Sequence, residues 1–149
     1  MPEGKSPLIF NSEGFAATIS FFKEKIKKYQ FENIAAIDAR GFIFGAALSQ
    51  SLGLGLTMIR KKNKLPGETL KYEYDLEYGS DCLEIKPSLG KSKFLLVDDL
   101  LATGGTANAA CQLISNAGGS VECFCTLIEL KFLSGRNLIK VPYETIIQY

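Results

Sequence analysis

The stretch FLLVDDLLATGGTANAA, residues Phe94 to Ala110, decides the fold. Its first four residues, Phe94 to Val97, are apolar and predict a buried strand of a parallel sheet. Ala107 to Ala117 predicts a helix, which the glycine pair that follows it ends. Between strand and helix we expect a loop from Asp98 to Thr106. It would lie at the carboxyl edge of the sheet, where ligands bind in folds of this kind.

The second half of this loop, Ala102 to Thr106, has the composition of a phosphate-binding turn, and we call residues 102–106 the cradle. Gly104 and Gly105 let backbone N–H groups turn toward one point, and the following helix directs its positive dipole end to the same point. Thr103 and Thr106 add hydroxyl donors. Taken alone, a Gly-Gly turn before a helix is equally consistent with simple chain punctuation.

Two adjacent aspartates, Asp98 and Asp99, favour the functional interpretation. Isolated carboxylates at the end of a buried strand are costly, so their presence indicates a ligand or a charged partner. Ionised carboxylates only accept hydrogen bonds and therefore do not bind phosphate; they suit ribose hydroxyls or a magnesium-bound sugar. The segment as a whole predicts a site for a phosphorylated sugar.

A second strand–helix–strand unit precedes this one. Its predicted elements are a capped amphipathic helix, a strand, a helix with a glycine C-cap and a strand, at Ser12 to Lys28, Ile34 to Ile37, Phe42 to Leu52 and Leu56 to Ile59. Later strands are predicted at Val121 to Leu130 and Thr145 to Ile147, and a hairpin turn at residues 78–80. The alternation predicts one α/β domain over residues 1–149, with a parallel twisted sheet flanked by helices and right-handed crossovers.

Composition excludes several classes of function. With 17 basic and 16 acidic residues the net charge is +1, so no bulk attraction to nucleic acid or membranes is expected. No apolar run approaches the ~18 residues of a membrane span, and the first residues lack the apolar core of a signal peptide, so we expect a cytoplasmic protein. The chain has no histidine, which excludes Ser-His, Cys-His and His-zinc chemistry. The four cysteines form no CxxC pair and are expected to be reduced core thiols.

Residues 97–106, VDDLLATGGT, resemble the phosphoribosyl-pyrophosphate signature of the type I phosphoribosyltransferases, and of their adenine-specific branch in particular. Three more stretches resemble the family in the same order: SPLI (6–9), DARGFIFGAALSQSLGLG (38–55) and IRKKNKLPGETLKYEYDLEYG (59–79). The resemblance implies the type I fold, with a mobile hairpin loop over the site. It implies transfer of the phosphoribosyl group of 5-phosphoribosyl-1-pyrophosphate to adenine, giving AMP and pyrophosphate. It also implies a homodimer, and a Mg²⁺ ion bound mainly through the substrate, with Asp98 and Asp99 as possible protein ligands.

One position distinguishes the branches of this family. Where oxopurine enzymes generally carry an aspartate proposed as the acid–base group for the purine, this chain has Ala102. A methyl group cannot move a proton. The resemblance therefore implies adenine as the base and argues against hypoxanthine and guanine.

The family also suggests which residues meet the leaving group. Residues 38–42 resemble the pyrophosphate loop, in which the backbone of Ala39 and the guanidinium of Arg40 contact pyrophosphate. Lys61 and Lys64 are the candidates in the following basic run that help to neutralise it. The alternatives are an ordinary ion pair for Arg40 and a solvated surface for the lysines.

The remaining catalytic candidates belong to the hairpin. The resemblance assigns Glu77 to the purine ring and Tyr78 to the departing pyrophosphate, at the tip of a loop that closes to exclude water. On pattern alone, the alternating aromatic and acidic residues before them are also typical of a hairpin with one wet face.

The resemblance is incomplete before Ser6. Family members carry a longer segment there, which forms part of the adenine pocket, whereas only Met1 to Lys5 precede Ser6 in this sequence. We therefore expect a complete phosphoribose site and a missing wall of the base pocket. Two hypotheses follow: an enzyme that makes AMP, or a non-catalytic nucleotide-sensing domain. Retention of Glu77 and Tyr78 favours the enzyme, and the short N-terminal segment favours the sensor.

Overall fold

The computed structural model describes residues 11–76, 78–89 and 91–149. The SPLI stretch and Glu77 lie outside the described residues. The helices are α1 (Ser12–Ile26), α2 (Gly41–Leu52) and α3 (Gly105–Asn116). The strands are β1 (Asn33–Ile37), β2 (Gly55–Lys61), β3 (Leu70–Leu76), β4 (Gly79–Ile85), β5 (Lys93–Leu101), β6 (Ser120–Glu129) and β7 (Tyr143–Gln148). Short 3₁₀ turns at Pro87–Leu89, Lys131–Leu133 and Gly135–Leu138 complete the described elements.

The seven strands form one sheet in the order β3-β4-β2-β1-β5-β6-β7. Strands β2, β1, β5, β6 and β7 are mutually parallel, and the β3–β4 hairpin adds two antiparallel strands beside β2. The central strands β1 and β5 have parallel neighbours on both sides, so the loops that follow them leave the sheet at one edge. This arrangement brings the two loops predicted to carry function next to each other.

Helices cover both faces of the sheet. The apolar side of α3 packs with the hairpin against one face, where Phe94, Leu96 and Phe124 are buried. Helices α1 and α2 pack against the other face, around Phe22, Phe44 and residues that include Cys123 and Cys125. Alternate residues of β5 therefore point into different cores, as expected for a strand with two covered faces.

The local signals for the helices agree with the structure. The Asn11 side chain accepts hydrogen bonds from the backbone N–H groups of Glu13 and Gly14, which caps α1. Gly53 ends α2 in the left-handed conformation, with φ of 68°. The close approach of α2 to the sheet depends on Gly45, because a Cβ atom there would lie 2.5 Å from the Ala36 Cβ.

The predicted loop from Asp98 to Thr106 is wrong in its first half. Strand β5 continues through both aspartates to Leu101, since β6 is long enough to offer it partners as far as Glu129. Asp98 lies opposite Thr126, and Leu101 lies opposite Glu129. Only residues 102–104 separate β5 from α3, so the carboxylates are held by a strand rather than by a loop.

Within the described residues, no helix is long and apolar enough to cross a membrane. All four cysteines are free, and three of them, Cys82, Cys123 and Cys125, are buried. Burial raises the pKa of the Cys123 thiol to about 12, so this thiol stays protonated and behaves as an apolar core residue.

Candidate active site

The loops after β1 and β5 meet around one cavity of about 230 Å³. Most of the predicted site residues line it, together with several neighbours: Asp38, Ala39, Arg40, Asp98, Asp99, Leu100, Leu101, Ala102, Thr103, Gly104, Thr106 and Ala107. Of the other candidates, Gly105 begins α3, and neither Lys61 nor Lys64 lines the cavity. A larger groove of about 590 Å³ lies near the start of β2, beside Leu52 and Leu54, away from this edge of the sheet.

The cradle presents backbone and hydroxyl donors to this cavity. Gly104 adopts the left-handed conformation, with φ of 92°, and turns the chain directly into α3. The first backbone N–H groups of a helix have no partner within it, so those at the start of α3 are available to an anion. Thr103 is exposed and Thr106 is partly buried in the first turn. Together these groups form a concave donor surface suited to a phosphate monoester.

A 3₁₀ segment from the other end of the chain supports the cradle from behind. A Cβ atom on Gly104 would lie 2.6 Å from the Gly135 carbonyl oxygen, and one on Gly135 would lie 2.2 Å from that of Ala102. Arg136 donates to the buried Glu129 from Nε, at 3.1 Å, and from Nη2, at 2.8 Å. Two glycines thus allow backbone-to-backbone contact, and a bidentate ion pair holds the supporting segment in place.

The two aspartates differ in their surroundings. Asp98 Oδ1 accepts a hydrogen bond of 2.8 Å from the Asp99 backbone N–H. Desolvation raises the pKa of Asp98 well above its usual value, and the charge of the adjacent Asp99 raises it further, although Lys61 opposes this in part. Asp99 is buried, and its Oδ2 forms an ion pair of 2.9 Å with Arg40 Nε. Asp98 therefore resists ionisation, whereas Arg40 balances the negative charge of Asp99.

The loop after β1 is anchored to β2. Asp38 Oδ2 accepts hydrogen bonds from Arg60 Nε at 3.1 Å and from the Lys61 backbone N–H at 3.2 Å. The peptide bond between Asp38 and Ala39 is cis. The N-terminus of α2 lies against the middle of β5, because a Cβ on Gly41 would be only 3.0 Å from the Val97 carbonyl oxygen. Arg40, 63% exposed, extends from this anchored loop to Asp99. Arg40 is thus in an ion pair, as the alternative interpretation expected, but with a carboxylate of the site.

The basic candidates after β2 are arranged differently from one another. Lys61 Nζ donates to Asp81 Oδ2 at 3.0 Å. Burial lowers the pKa of Lys61, but the bond to Asp81 and the nearby Tyr74 outweigh it, so the net shift is upward and the ammonium persists. Lys64 is exposed, with no side-chain ion pair to any described residue. Tyr78 is 90% exposed at the hairpin tip. Lys61 is thus held near the site, whereas Lys64 and Tyr78 extend into solvent.

Several residues of the site were not predicted. Gly135, Arg136 and Glu129 support the cradle. Tyr74 connects the hairpin to the cradle, and Asp81 connects it to Lys61. The sequence could have indicated Tyr74, because Tyr72 and Tyr74 alternate with polar residues along β3. Such alternation marks the side chains of a strand that face the core. Nothing in the local sequence around Gly135 distinguishes it from an ordinary turn glycine.

The acidic residues fit a magnesium ion only in part. Magnesium prefers oxygen ligands and commonly combines one or two carboxylates with substrate phosphates and water. Asp98 and Asp99 supply carboxylate oxygens at the cavity, but Asp99 is already paired with Arg40. Across residues 11–76, 78–89 and 91–149, no cluster of three or more acidic, cysteine or histidine side chains is arranged to hold a metal. The donor set therefore suits magnesium when a substrate supplies further oxygens.

Comparison with known proteins agrees with this geometry. The family of the phosphoribosyl transferase domain matches residues 10–140. An adenine phosphoribosyltransferase of Sulfurimonas denitrificans is 48% identical over 132 residues, which cover 86% of this chain and 72% of that protein. The crystal structure of the Thermoanaerobacter pseudethanolicus adenine phosphoribosyltransferase superimposes with a TM-score of 0.93 at 41% identity, covering 97% of this chain and 86% of that one.

A third relative was crystallised with ligands. The adenine phosphoribosyltransferase of Saccharomyces cerevisiae, complexed with D-2,5-dideoxy-2,5-imino-altritol 1,6-bisphosphate and adenine, has a TM-score of 0.88 and 36% identity over 94% of this chain and 83% of that one. These similarities confirm the predicted fold class, and they give no support to the non-catalytic alternative. The chain belongs to the phosphoribosyl transferase family and, within it, to the adenine phosphoribosyltransferases.

Proposed function

We propose that this chain transfers the phosphoribosyl group of 5-phosphoribosyl-1-pyrophosphate to adenine, giving AMP and pyrophosphate in purine salvage. One observation carries the proposal: two groups of residues line the same cavity. The first group is the N-terminus of α3 with its two threonines and the two adjacent aspartates, and the second is the Ala39–Arg40 loop. The first group suits a sugar phosphate and the second suits a departing pyrophosphate. The names of the relatives and the adenine bound to the yeast protein support adenine as the acceptor.

The phosphoribose would be held along β5 and the start of α3. Its 5′-phosphate accepts hydrogen bonds from the backbone of Gly104 and Gly105 and from the hydroxyls of Thr103 and Thr106. Asp98 and Asp99 accept hydrogen bonds from the ribose hydroxyls through their carboxyl oxygens. Binding in this way uses every donor of the cradle and places the anomeric carbon toward the loop after β1.

The leaving group would be stabilised by the loop after β1 and by β2. The Ala39 backbone and Arg40 contact pyrophosphate, and Lys61 and Lys64 contribute positive charge. Mg²⁺, held by substrate oxygens with Asp98 or Asp99, supplies further neutralisation of pyrophosphate when bound. Because charge develops on the leaving oxygen, this electrostatic stabilisation is the largest contribution that we assign to the protein.

The chemical step forms the bond from adenine N9 to the anomeric carbon and breaks the bond from that carbon to pyrophosphate. Glu77 accepts or stabilises the proton on the imidazole side of the purine, a contribution of order 10²–10⁴-fold. Tyr78 approaches pyrophosphate when the hairpin closes. Its 90% exposure supports a side chain that is available for closure. Ala102, which lines the cavity, offers no acid–base group to an oxopurine.

We further propose a cytoplasmic homodimer, formed from one domain per chain over residues 1–149, whose partners are the small molecules adenine, phosphoribosyl pyrophosphate and AMP. The family resemblance supports the dimer. The near-zero net charge supports the absence of a nucleic acid or membrane partner.

A direct assay tests this function. The protein is mixed with phosphoribosyl pyrophosphate, Mg²⁺ and adenine, hypoxanthine or guanine, and nucleotide formation is followed by chromatography. We expect AMP from adenine, with kcat/KM for adenine far above that for the two oxopurines. Equal kcat/KM for adenine and hypoxanthine would contradict the adenine assignment. Binding of phosphoribosyl pyrophosphate without any nucleotide formation would instead favour the sensing alternative.

A further inference from the structure

Tyr74 connects the hairpin to the cradle. Tyr74 of β3 packs against the core face on which α3 lies, and its hydroxyl is 3.2 Å from Thr106 Oγ1. A Cβ atom on Gly105 would lie 3.9 Å from the Tyr74 ring, so the tyrosine touches the first turn of α3. A residue far from the phosphate-binding signature in sequence thus bonds to one of its hydroxyl groups.

The direction of this hydrogen bond matters for phosphate binding. A threonine hydroxyl has one hydrogen and can accept as well as donate. If Thr106 donates to Tyr74, its hydrogen is consumed and the oxygen faces phosphate with lone pairs only. If Tyr74 donates to Thr106, the Thr106 hydrogen is free to be donated to phosphate. The identity of the donor therefore decides whether Thr106 attracts or repels an anion.

The neighbours of Tyr74 favour the second arrangement. Lysine ammonium groups only donate, so the Lys61 Nζ at 3.5 Å acts as a donor to the Tyr74 oxygen. The competing acceptor for the tyrosine hydrogen is Asp81 Oδ2, also at 3.5 Å. That oxygen already accepts a shorter bond of 3.0 Å from Lys61, and Asp81 Oδ1 accepts one of 2.8 Å from the Cys82 backbone N–H. At 3.5 Å, Asp81 Oδ2 also lies farther from the Tyr74 hydroxyl than Thr106 Oγ1 does at 3.2 Å, so Asp81 is the weaker acceptor for the hydrogen of Tyr74.

We propose that Tyr74 is a positioning residue for the 5′-phosphate: its hydroxyl donates to Thr106 Oγ1 and thereby directs the Thr106 hydrogen toward phosphate. Lys61 and Asp81 maintain this polarity, giving a chain of donors from Lys61 through Tyr74 and Thr106 to the anion. The inference rests on the proposed function, in which the 5′-phosphate occupies the cradle. It adds a residue of the hairpin to the machinery of the phosphate site.

The test is a double-mutant cycle on AMP binding. AMP carries the 5′-phosphate and no pyrophosphate, so its dissociation constant, measured by calorimetry, reports on the cradle. We expect Tyr74→Phe to weaken AMP binding about tenfold, the size of one hydrogen bond to a charged group. Thr106→Val should weaken binding at least as much. In the double variant, Tyr74→Phe should cause no further loss, because Tyr74 acts only through the Thr106 hydroxyl.

Matched controls separate positioning from packing. Tyr72 lies on the same strand and packs on the same core, and its hydroxyl has no hydrogen bond to any residue that the structure describes, so Tyr72→Phe should leave AMP binding unchanged. Thr106→Ser keeps the hydroxyl, so it should retain AMP binding and remain sensitive to Tyr74→Phe. This last variant tests the coupling even if Thr106→Val proves unstable.

The possible failures are distinguishable. If Thr106→Val weakens AMP binding and Tyr74→Phe does not, the role of Tyr74 is wrong and the cradle stands. If the losses from the two substitutions add in the double variant, Tyr74 does not act through Thr106 and the proposal is overturned. If Thr106→Val itself leaves AMP binding unchanged, Thr106 does not donate to the 5′-phosphate and the proposal is overturned. If the wild-type protein does not bind AMP at all, the proposed function of this loop is overturned instead.

Discussion

At the scale of single residues, the site contains two adjacent aspartates, Asp98 and Asp99, in a position that is unfavourable for the stability of the fold. Asp98 lies within β5, directly after four fully buried residues and beside a second aspartate, and its pKa is raised by desolvation and by that neighbour. Carboxylates in such positions generally serve function at a cost in stability.

We expect Asp98→Asn to stabilise the folded protein at neutral pH. Since the pKa of Asp98 is raised in the folded state, ionising this carboxyl group opposes folding. The resulting loss in the free energy of unfolding grows as pH rises above the pKa of an aspartate in the unfolded chain, about 3.9. The free energy of unfolding of the variant should therefore exceed that of wild type at pH 7, and the difference should vanish in acid. Urea unfolding across this pH range measures it, alongside a loss of phosphoribosyl pyrophosphate binding. A variant less stable than wild type at every pH would contradict the assignment.

A second residue-scale prediction concerns the two glycines of the cradle. Gly104→Ala should destabilise the protein by at least about 2 kcal/mol, because it combines a left-handed φ of 92° with a contact of 2.6 Å to the Gly135 carbonyl oxygen. Gly105→Ala is the matched control, since its Cβ would meet only the Tyr74 ring, at 3.9 Å. Thermal unfolding followed by circular dichroism compares the two. Equal melting temperatures would show that Gly135 does not press against the cradle.

At the scale of elements, the β3–β4 hairpin combines an anchored base with an extended tip. Tyr72 and Tyr74 pack on the core, and Asp81, which pairs with Tyr74, accepts a hydrogen bond from Lys61 of β2. Tyr78, at the tip, is almost fully exposed. A hairpin of this kind can carry catalytic groups to a bound substrate without disturbing the sheet, because only its tip has to move.

This division predicts separable effects at the tip. Glu77→Gln should lower kcat by at least ~10²-fold and leave the affinity for phosphoribosyl pyrophosphate nearly unchanged, because the residue acts on the purine proton in the transition state. Glu73→Gln, an exposed position on the same hairpin, should leave kcat unchanged. Steady-state kinetics with adenine measures both variants. If Glu77→Gln turns over as fast as wild type, the proposed role of Glu77 is wrong.

At the scale of the whole molecule, the sheet order creates the site. The strands β1 and β5 are neighbours in space although the β2 strand, the hairpin and their connections separate them in sequence. Their following loops therefore share one cavity. Helices on both faces bury the sheet and leave its carboxyl edge for ligands.

The proposed dimer is a prediction at this scale. Several large apolar side chains remain exposed in the single chain, among them Phe21 at 59% and Phe132 at 72%, which is consistent with further burial between subunits. Sedimentation equilibrium should give a mass about twice the 16.3 kDa of one chain. A single species of 16.3 kDa at micromolar concentration would show that the chain is monomeric.

The sequence by itself determined the features that depend on local pattern. Apolar runs and capping residues predicted the helices and parallel strands, and the run from Val97 to Thr106 predicted the phosphate cradle and the family. Ala102 predicted the adenine branch, to which the compared relatives belong. The predicted elements, fold class and family are confirmed, because backbone preferences, helix capping and glycine conformations act over a few residues. The phosphate-binding role of the cradle stays a prediction.

Only the tertiary structure decided which distant residues meet. Strand β5 runs through Asp98 because β6 offers partners up to Glu129, and Arg40 reaches Asp99 because β1 lies beside β5. The bond from Tyr74 to Thr106 depends on the hairpin packing against α3, and the contact of Gly135 with the cradle spans about thirty residues of sequence. Such contacts are set by packing between elements that are distant in sequence, so a local pattern of residue types does not predict them.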